Sequence, residues 1–324
     1  MEIFATGYLK ARTTIRMKAE IKSMRIIFHY AAILLGFFVS SCSEPEEKAE
    51  DHITDYDAIS ASFDGADYTT EAEMVLHGQR LASIFACNDC HLPDYSGVNF
   101  GELVPILEGL WATNISLTMP MMTDEELEWL LREGVHPNRE LFLMPSKQSQ
   151  FLSHRDMSAL IAYLRTVPPT GDPTPLPPED FRDALSSRLP PDYWRKDDNG
   201  DPYYHTAEDE ALYFKKNALP GLGEEYAKGR LIAQSVCTAC HGAALDGVGE
   251  MAGSIRKGET YSKDAFERLL RDDVTSEGQS VKPPYANGHV PSSLTDNEIQ
   301  AVIAYILQLL KTKPVGNQRV REKL

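Results

Sequence analysis

Cysteine is scarce in this chain of 324 residues, and so is positive charge. Five cysteines cannot staple a disulfide-rich scaffold, and 32 Lys and Arg against 48 Asp and Glu give no basic face for nucleic acid. Long apolar runs are nearly absent. The longest, I-I-F-H-Y-A-A-I-L-L-G-F-F-V at 26–39, has 14 residues, whereas a bilayer span takes about 20. Strand-like alternation is missing throughout, so no sheet is expected. What is present, 42 % hydrophobic and 25 % charged residues, is the composition of a globular protein. The length suits about two domains.

Lys18, Lys22 and Arg25 precede the apolar run, which ends V-S-S-C at 39–42. That order is the order of an export signal. The closing tetrapeptide resembles the bacterial lipobox, whose Cys is lipidated and becomes the new N-terminus. An ordinary signal cleaved nearby, or an uncleaved anchor, is the competing reading. Residues 1–41 are therefore expected to be a signal peptide and Cys42 the lipid attachment site, on the periplasmic side of a bacterial membrane. Removing 1–41 takes away six basic and two acidic residues, which leaves 26 against 46 and a net charge of −20. Such a surface repels nucleic acid and anionic headgroups and steers basic partners toward it. Residues 42–70, with Glu44, Glu46, Glu47, Glu50, Asp51, Asp55 and Asp57 and no helical period, read as an acidic tether.

Four of the five cysteines sit in two C-x-x-C-H strings, C-N-D-C-H at 87–91 and C-T-A-C-H at 237–241. Haem carries two vinyl groups, each able to form a thioether with a cysteine. Cysteines at i and i+3 share one side of a helical turn and reach one porphyrin edge, and the following His is carried under the ring to ligate the iron. A thioredoxin-like redox pair belongs in a βαβ context and needs no such His. Zinc ribbons place their Cys pairs roughly 15–20 residues apart, but Cys90 and Cys237 are separated by 147 positions. Two covalently bound haem c groups are expected, on Cys87, Cys90 and His91 and on Cys237, Cys240 and His241.

The surroundings repeat. S-A-L-I-A-Y-L-R at 158–165 matches Q-A-V-I-A-Y-I-L at 300–307. Met157, Leu160, Ile161 and Leu164 thereby superpose on Ile299, Val302, Ile303 and Ile306, each set forming one buried helical face. Thr295 with Glu298, Thr123 with Glu126 and Ser153 with Asp156 have the spacing of helix-start caps, and Ser262 starts the second middle helix. Between the repeats, P-P-T-G-D-P-T-P-L-P-P at 168–178 is expected to be extended. Trp194, Tyr203, Tyr204 and Tyr213 beyond it are expected to dock on the helical units.

Residues 71–170 and 223–313 resemble class I cytochrome c domains. Gly78 and Gly229 match the small residue of that family's first helix, and Tyr163 and Tyr305 the aromatic on the closing helix that crosses it. W-A-T-N-I at 111–115, T-D-E-E-L at 123–127 and the M-P-S string make the first unit similar to cytochrome subunits of periplasmic membrane-associated dehydrogenases. Those subunits typically carry three haems and a membrane-anchoring tail, and this chain departs from both. The resemblance implies Met144 as the sixth ligand of the first iron, with Met119, Met121, Met122 and His136 as rivals. His289 holds the corresponding place in the second unit. There the alternatives are a five-coordinate iron or ligation by Lys282 or Tyr285, since Met251 comes too early. The remaining His52, His77, His154 and His205 read as surface residues.

The expected architecture is all-α, with two small cytochrome c-like domains at 71–170 and 223–313. A Pro- and aromatic-rich connector spans 171–222, and a tail 314–324. The expected activity is relay of single electrons between redox protein partners at the membrane, not catalysis. A dihaem peroxidase-like enzyme, or a haem-based gas sensor with an open second site, is the alternative.

Overall fold

The computed structural model describes residues 60–188, 206–247, 252–257, 261–280 and 290–312. Cys42, Trp194, Tyr203, Tyr204, Met251, Lys282, Tyr285 and His289 lie outside the described residues, as do the export signal and the tail. Among the described residues there is no strand, only isolated bridges such as His136 with Arg139. The protein is all-α, and no described helix is long and apolar enough to cross a membrane.

The first unit opens on α1 (Glu71–Ile84), capped by a Thr70–Glu73 box. The short α2 (Cys87–His91) follows, then α3 (Asp124–Glu133), α4 (Ser146–Ser149) and α5 (His154–Arg165). Thr123 and Glu126 cap α3 reciprocally, and Ser153 accepts from the Asp156 amide at the start of α5. In the connector lie α6 (Phe181–Arg188) and α7 (Ala207–Lys216). The second unit has α8 (Ala227–Ile232), a π turn over Ala233–Cys237, α9 (Thr238–His241), α10 (Lys263–Asp272) and α11 (Asp296–Lys311). Met157, Leu160, Ile161 and Leu164 of α5 and Ile299, Val302, Ile303 and Ile306 of α11 are all buried, as the two stripes require.

Both first helices meet their closing helix at a glycine. A Cβ on Gly78 would overlap the Ala159 carbonyl oxygen and stand 2.7 Å from the Tyr163 Cβ. One on Gly229 would overlap the Ala301 carbonyl oxygen and stand 2.6 Å from the Tyr305 Cβ. Glycine costs a helix about 1 kcal/mol relative to alanine, and backbone contact at the crossing is what that cost permits.

The tether expected over 42–70 does not extend through its last stretch. Phe63 is only 1 % exposed, and consecutive amides of this segment clamp the two closing helices. The Phe63 amide donates to Asp156 Oδ2 at 3.2 Å, and the Asp64 amide to Glu298 Oε1 at 2.8 Å. Asp156 and Glu298 are both fully buried near the start of their helices, and α1 supplies a basic partner to each. His77 Nε2 lies 2.7 Å from Asp156 Oδ1, and Arg80 pairs with Glu298. A strap of a few residues thus ties the halves together over a continuous apolar core.

The connector is more ordered than its prolines suggest. Its extended start is latched by buried Asn114, whose amide nitrogen donates to the carbonyls of Thr170 (2.7 Å) and Asp172 (3.0 Å). Phe181 and Leu185 of α6 form a small second core with Leu110. On α7, Ala207, Ala211 and Phe214 are buried against α3 and α4. Lys147 of α4 reaches Glu210 at 2.7 Å and sits over the Phe214 ring, while Lys215 reaches Glu133 at 2.9 Å. The sequence reading placed no helix here.

Candidate functional site

The two C-x-x-C-H strings are entered differently, through a left-handed Ala86 in the first and the π turn Ala233–Cys237 in the second, but they leave their histidines alike. In each, a helical turn carries both cysteines and the histidine, and the chain then leaves the helix with positive φ at Leu92 (64°) or Gly242 (77°). Tyr95 and Leu245, four residues after each histidine, are again left-handed, at 61° and 60°. A bulky residue with positive φ is an outlier that its surroundings must hold in place, and the same hydrogen bonds hold both. Tyr95 donates its amide to Leu92 O (3.0 Å) and Leu245 its own to Gly242 O (2.9 Å). Gly97 donates to His91 O (3.0 Å) and Gly247 to His241 O (2.9 Å).

Each imidazole is fixed by a backbone carbonyl. His91 Nδ1 lies 2.8 Å from Thr113 O, and His241 Nδ1 lies 2.6 Å from Gly253 O. A carbonyl only accepts, so Nδ1 carries the proton and the ring lone pair is on Nε2. Burial holds both histidines below their ordinary value, so both rings are neutral near pH 7, the form that ligates metal. A carbonyl that sets tautomer and ring orientation is the usual outer support of a ligating histidine.

The cysteines are not joined in disulfides. Burial, with Cys90 alongside, pushes Cys87 up to about 12, and burial with Cys240 does the same for Cys237. Thiols so raised are the opposite of a thioredoxin-like pair, whose reactivity depends on a depressed value. Burial also raises Cys240, against the opposing charge of Lys147, which places α4 of the first unit beside the second motif. Two unpaired cysteines one helical turn apart, followed by a neutral, carbonyl-anchored histidine, fit a thioether-bound haem at both strings.

Met144 lies in the irregular segment between α3 and α4, half-buried against the main core. Leu143 before it has φ +58° and is 46 % exposed, an apolar side chain in strained backbone. Its rivals are placed differently. Met119 is a core residue, Met122 is partly buried against that core, and Met121 is 76 % exposed. His136 belongs to a tight turn, where it accepts from the Asn138 amide at 3.2 Å. His77, expected at the surface, is buried against Asp156, because the strap covers it. His289 and Cys42 lie outside the described residues. Sequence reasoning missed both anchoring carbonyls. Thr113 follows His91 by 22 positions and Gly253 follows His241 by 12, so no common spacing marks them.

No curated protein matches the chain. The cytochrome c family model matches residues 226–310, which include the second C-x-x-C-H string and α8 through most of α11. Residues 226–310 are therefore a cytochrome c domain, which implies covalently held haem c and, as its general chemistry, electron transfer.

Proposed function

We propose that this protein is a dihaem c-type cytochrome that relays single electrons between a periplasmic donor, such as a dehydrogenase, and an acceptor. One observation carries the haem on Cys87 and Cys90: this motif shares with the one at Cys237, Cys240 and His241 a crossing glycine before it, the same left-handed exit and turn hydrogen bonds after it, and a histidine anchored by a backbone carbonyl. A haem bound to either motif supplies one-electron Fe(II)/Fe(III) chemistry. The chain's own work is to hold, orient and bury it. Cys87 and Cys90 would hold the first haem, with His91 and Met144 offered to its iron. Cys237 and Cys240 would hold the second, with His241 and His289 offered to its iron. Lipidation at Cys42 tethers the protein to the periplasmic face of a bacterial membrane, and its acidic surface favours partners with a basic docking face.

The test is the optical spectrum of the reduced protein with and without carbon monoxide. A carrier with both irons six-coordinate gives spectra that carbon monoxide leaves unchanged. A carbon monoxide shift in the wild type contradicts the carrier and indicates an open site for catalysis or sensing.

A further inference from the structure

We propose that Arg139 is a positioning residue that raises the reduction potential of the first site through its charge. The proposal rests on the reading that His91 ligates a haem iron.

Arg139 is brought to the site by a clamped turn. Helix α3 stops at Gly134, whose φ of +70° needs a glycine. A Cβ there would stand 2.6 Å from the Glu208 nitrogen, so its absence lets the start of α7 close over the turn. The Ala207 amide donates to Leu141 O at 2.8 Å, and His136 bridges to Arg139 across the turn. The turn is therefore held at both ends, from α3 and from the connector.

From that turn Arg139 Nη2 donates to Thr113 Oγ1 at 2.8 Å. Thr113 is the residue whose carbonyl accepts from His91 Nδ1 at 2.8 Å. The guanidinium therefore stands one residue from the proximal imidazole, half-buried, and among the described residues no carboxylate lies within ion-pair distance of it. The second site is built differently. His241 donates to the carbonyl of Gly253, which has no side chain to receive an equivalent donor. Arg256, three positions on, is turned to Ala244 O at 2.7 Å and faces Asp246 at 3.6 Å.

Reduction lowers the positive charge at the iron by one unit, so a nearby half-buried cation, which water screens only in part, disfavours the oxidised form. Arg139 contacts the residue that anchors His91, so its charge acts on the first couple. The effect adds to any difference made by the axial ligands.

The experiment is a spectroelectrochemical titration of the purified holoprotein and three variants. Arg139→Gln keeps a donor for Thr113 Oγ1 and removes the charge. It should shift the first couple toward the oxidised form roughly tenfold, which is 59 mV for one electron, and leave the second couple in place. Arg139→Lys keeps the charge and should stay within threefold of wild type. Thr113→Val removes the side-chain acceptor but keeps the carbonyl, so the guanidinium is released, and it should move the first couple in the same direction as Gln. It also serves if Arg139→Gln does not accumulate. An unmoved first couple in Arg139→Gln or in Thr113→Val overturns the proposal, as does an Arg139→Lys couple that falls as far as Gln. Haem mass measured on the same wild-type sample separates the two levels: no haem on Cys87 and Cys90 removes the reading of the site itself, whereas haem present with an unmoved couple removes only the role of Arg139.

Discussion

Single residues decide whether each unit can close. Gly78 and Gly229 sit where a side chain would enter the backbone of the closing helix, so alanine at either should destabilise by about 1–3 kcal/mol through overpacking. Among the described residues nothing lies within 4 Å of a Cβ on Gly253, and Gly253→Ala should stay within about 0.5 kcal/mol of wild type. Thermal denaturation followed by helical circular dichroism compares the three, and equal losses would contradict the crossing as described. Met144 tests a different property. Met144→His should lower the reduction potential of the haem on Cys87 and Cys90 alone, because a thioether favours Fe(II) more than a second imidazole does. Both crossing glycines, and the two C-x-x-C-H strings on which the proposed haem attachment rests, could be read from the sequence, since each is part of a local string. Thr113 and Arg139 could not, because what they do depends on side chains distant in the chain and on no shared spacing.

At the scale of elements, the closing helices α5 and α11 are held by what lies across their N-termini. Glu298 is fully buried and Arg80 of α1 is its charged partner, so Arg80→Ala leaves a carboxylate without its cation and should cost about 3 kcal/mol. Chemical denaturation measures it, and a loss under about 1 kcal/mol would show that other donors suffice. The apolar stripes of both helices were legible because their period is local. Helix α7 was not expected although its Thr206 cap accepts from the Asp209 amide, because the reading beyond the proline run rested on aromatic residues and not on a helical period. The strap was missed for a different reason. Its acidic composition matches a solvated tether, and only the buried Asp156 and Glu298, 93 and 234 residues away from its amides, turn it into structure.

Across the whole molecule, Asp64 joins the halves by a carboxylate set at the start of α11. Burial alone would raise its value, but hydrogen bonds from Lys228, Thr295 and Asn297 outweigh it and hold Asp64 below its ordinary 3.8. A carboxyl depressed on folding stabilises fully above its ordinary value, and that contribution is lost as pH falls through the depressed one. Asp64→Asn should therefore melt earlier than wild type at pH 7, by up to about 1 kcal/mol, and the gap should close as the pH falls below about 4. A gap independent of pH would contradict the charged role. The proposed carrier is tethered at Cys42 and approached by basic partners. That picture depends on two haems in one chain. The most direct measurement is the mass of the mature protein after denaturation and acid–acetone extraction, which removes any haem not covalently bound. The account predicts the polypeptide plus two haems, falling to one in the paired variant Cys87→Ala with Cys90→Ala. A mass for a single haem in the wild type, or recovery of free haem in the extract, would contradict it.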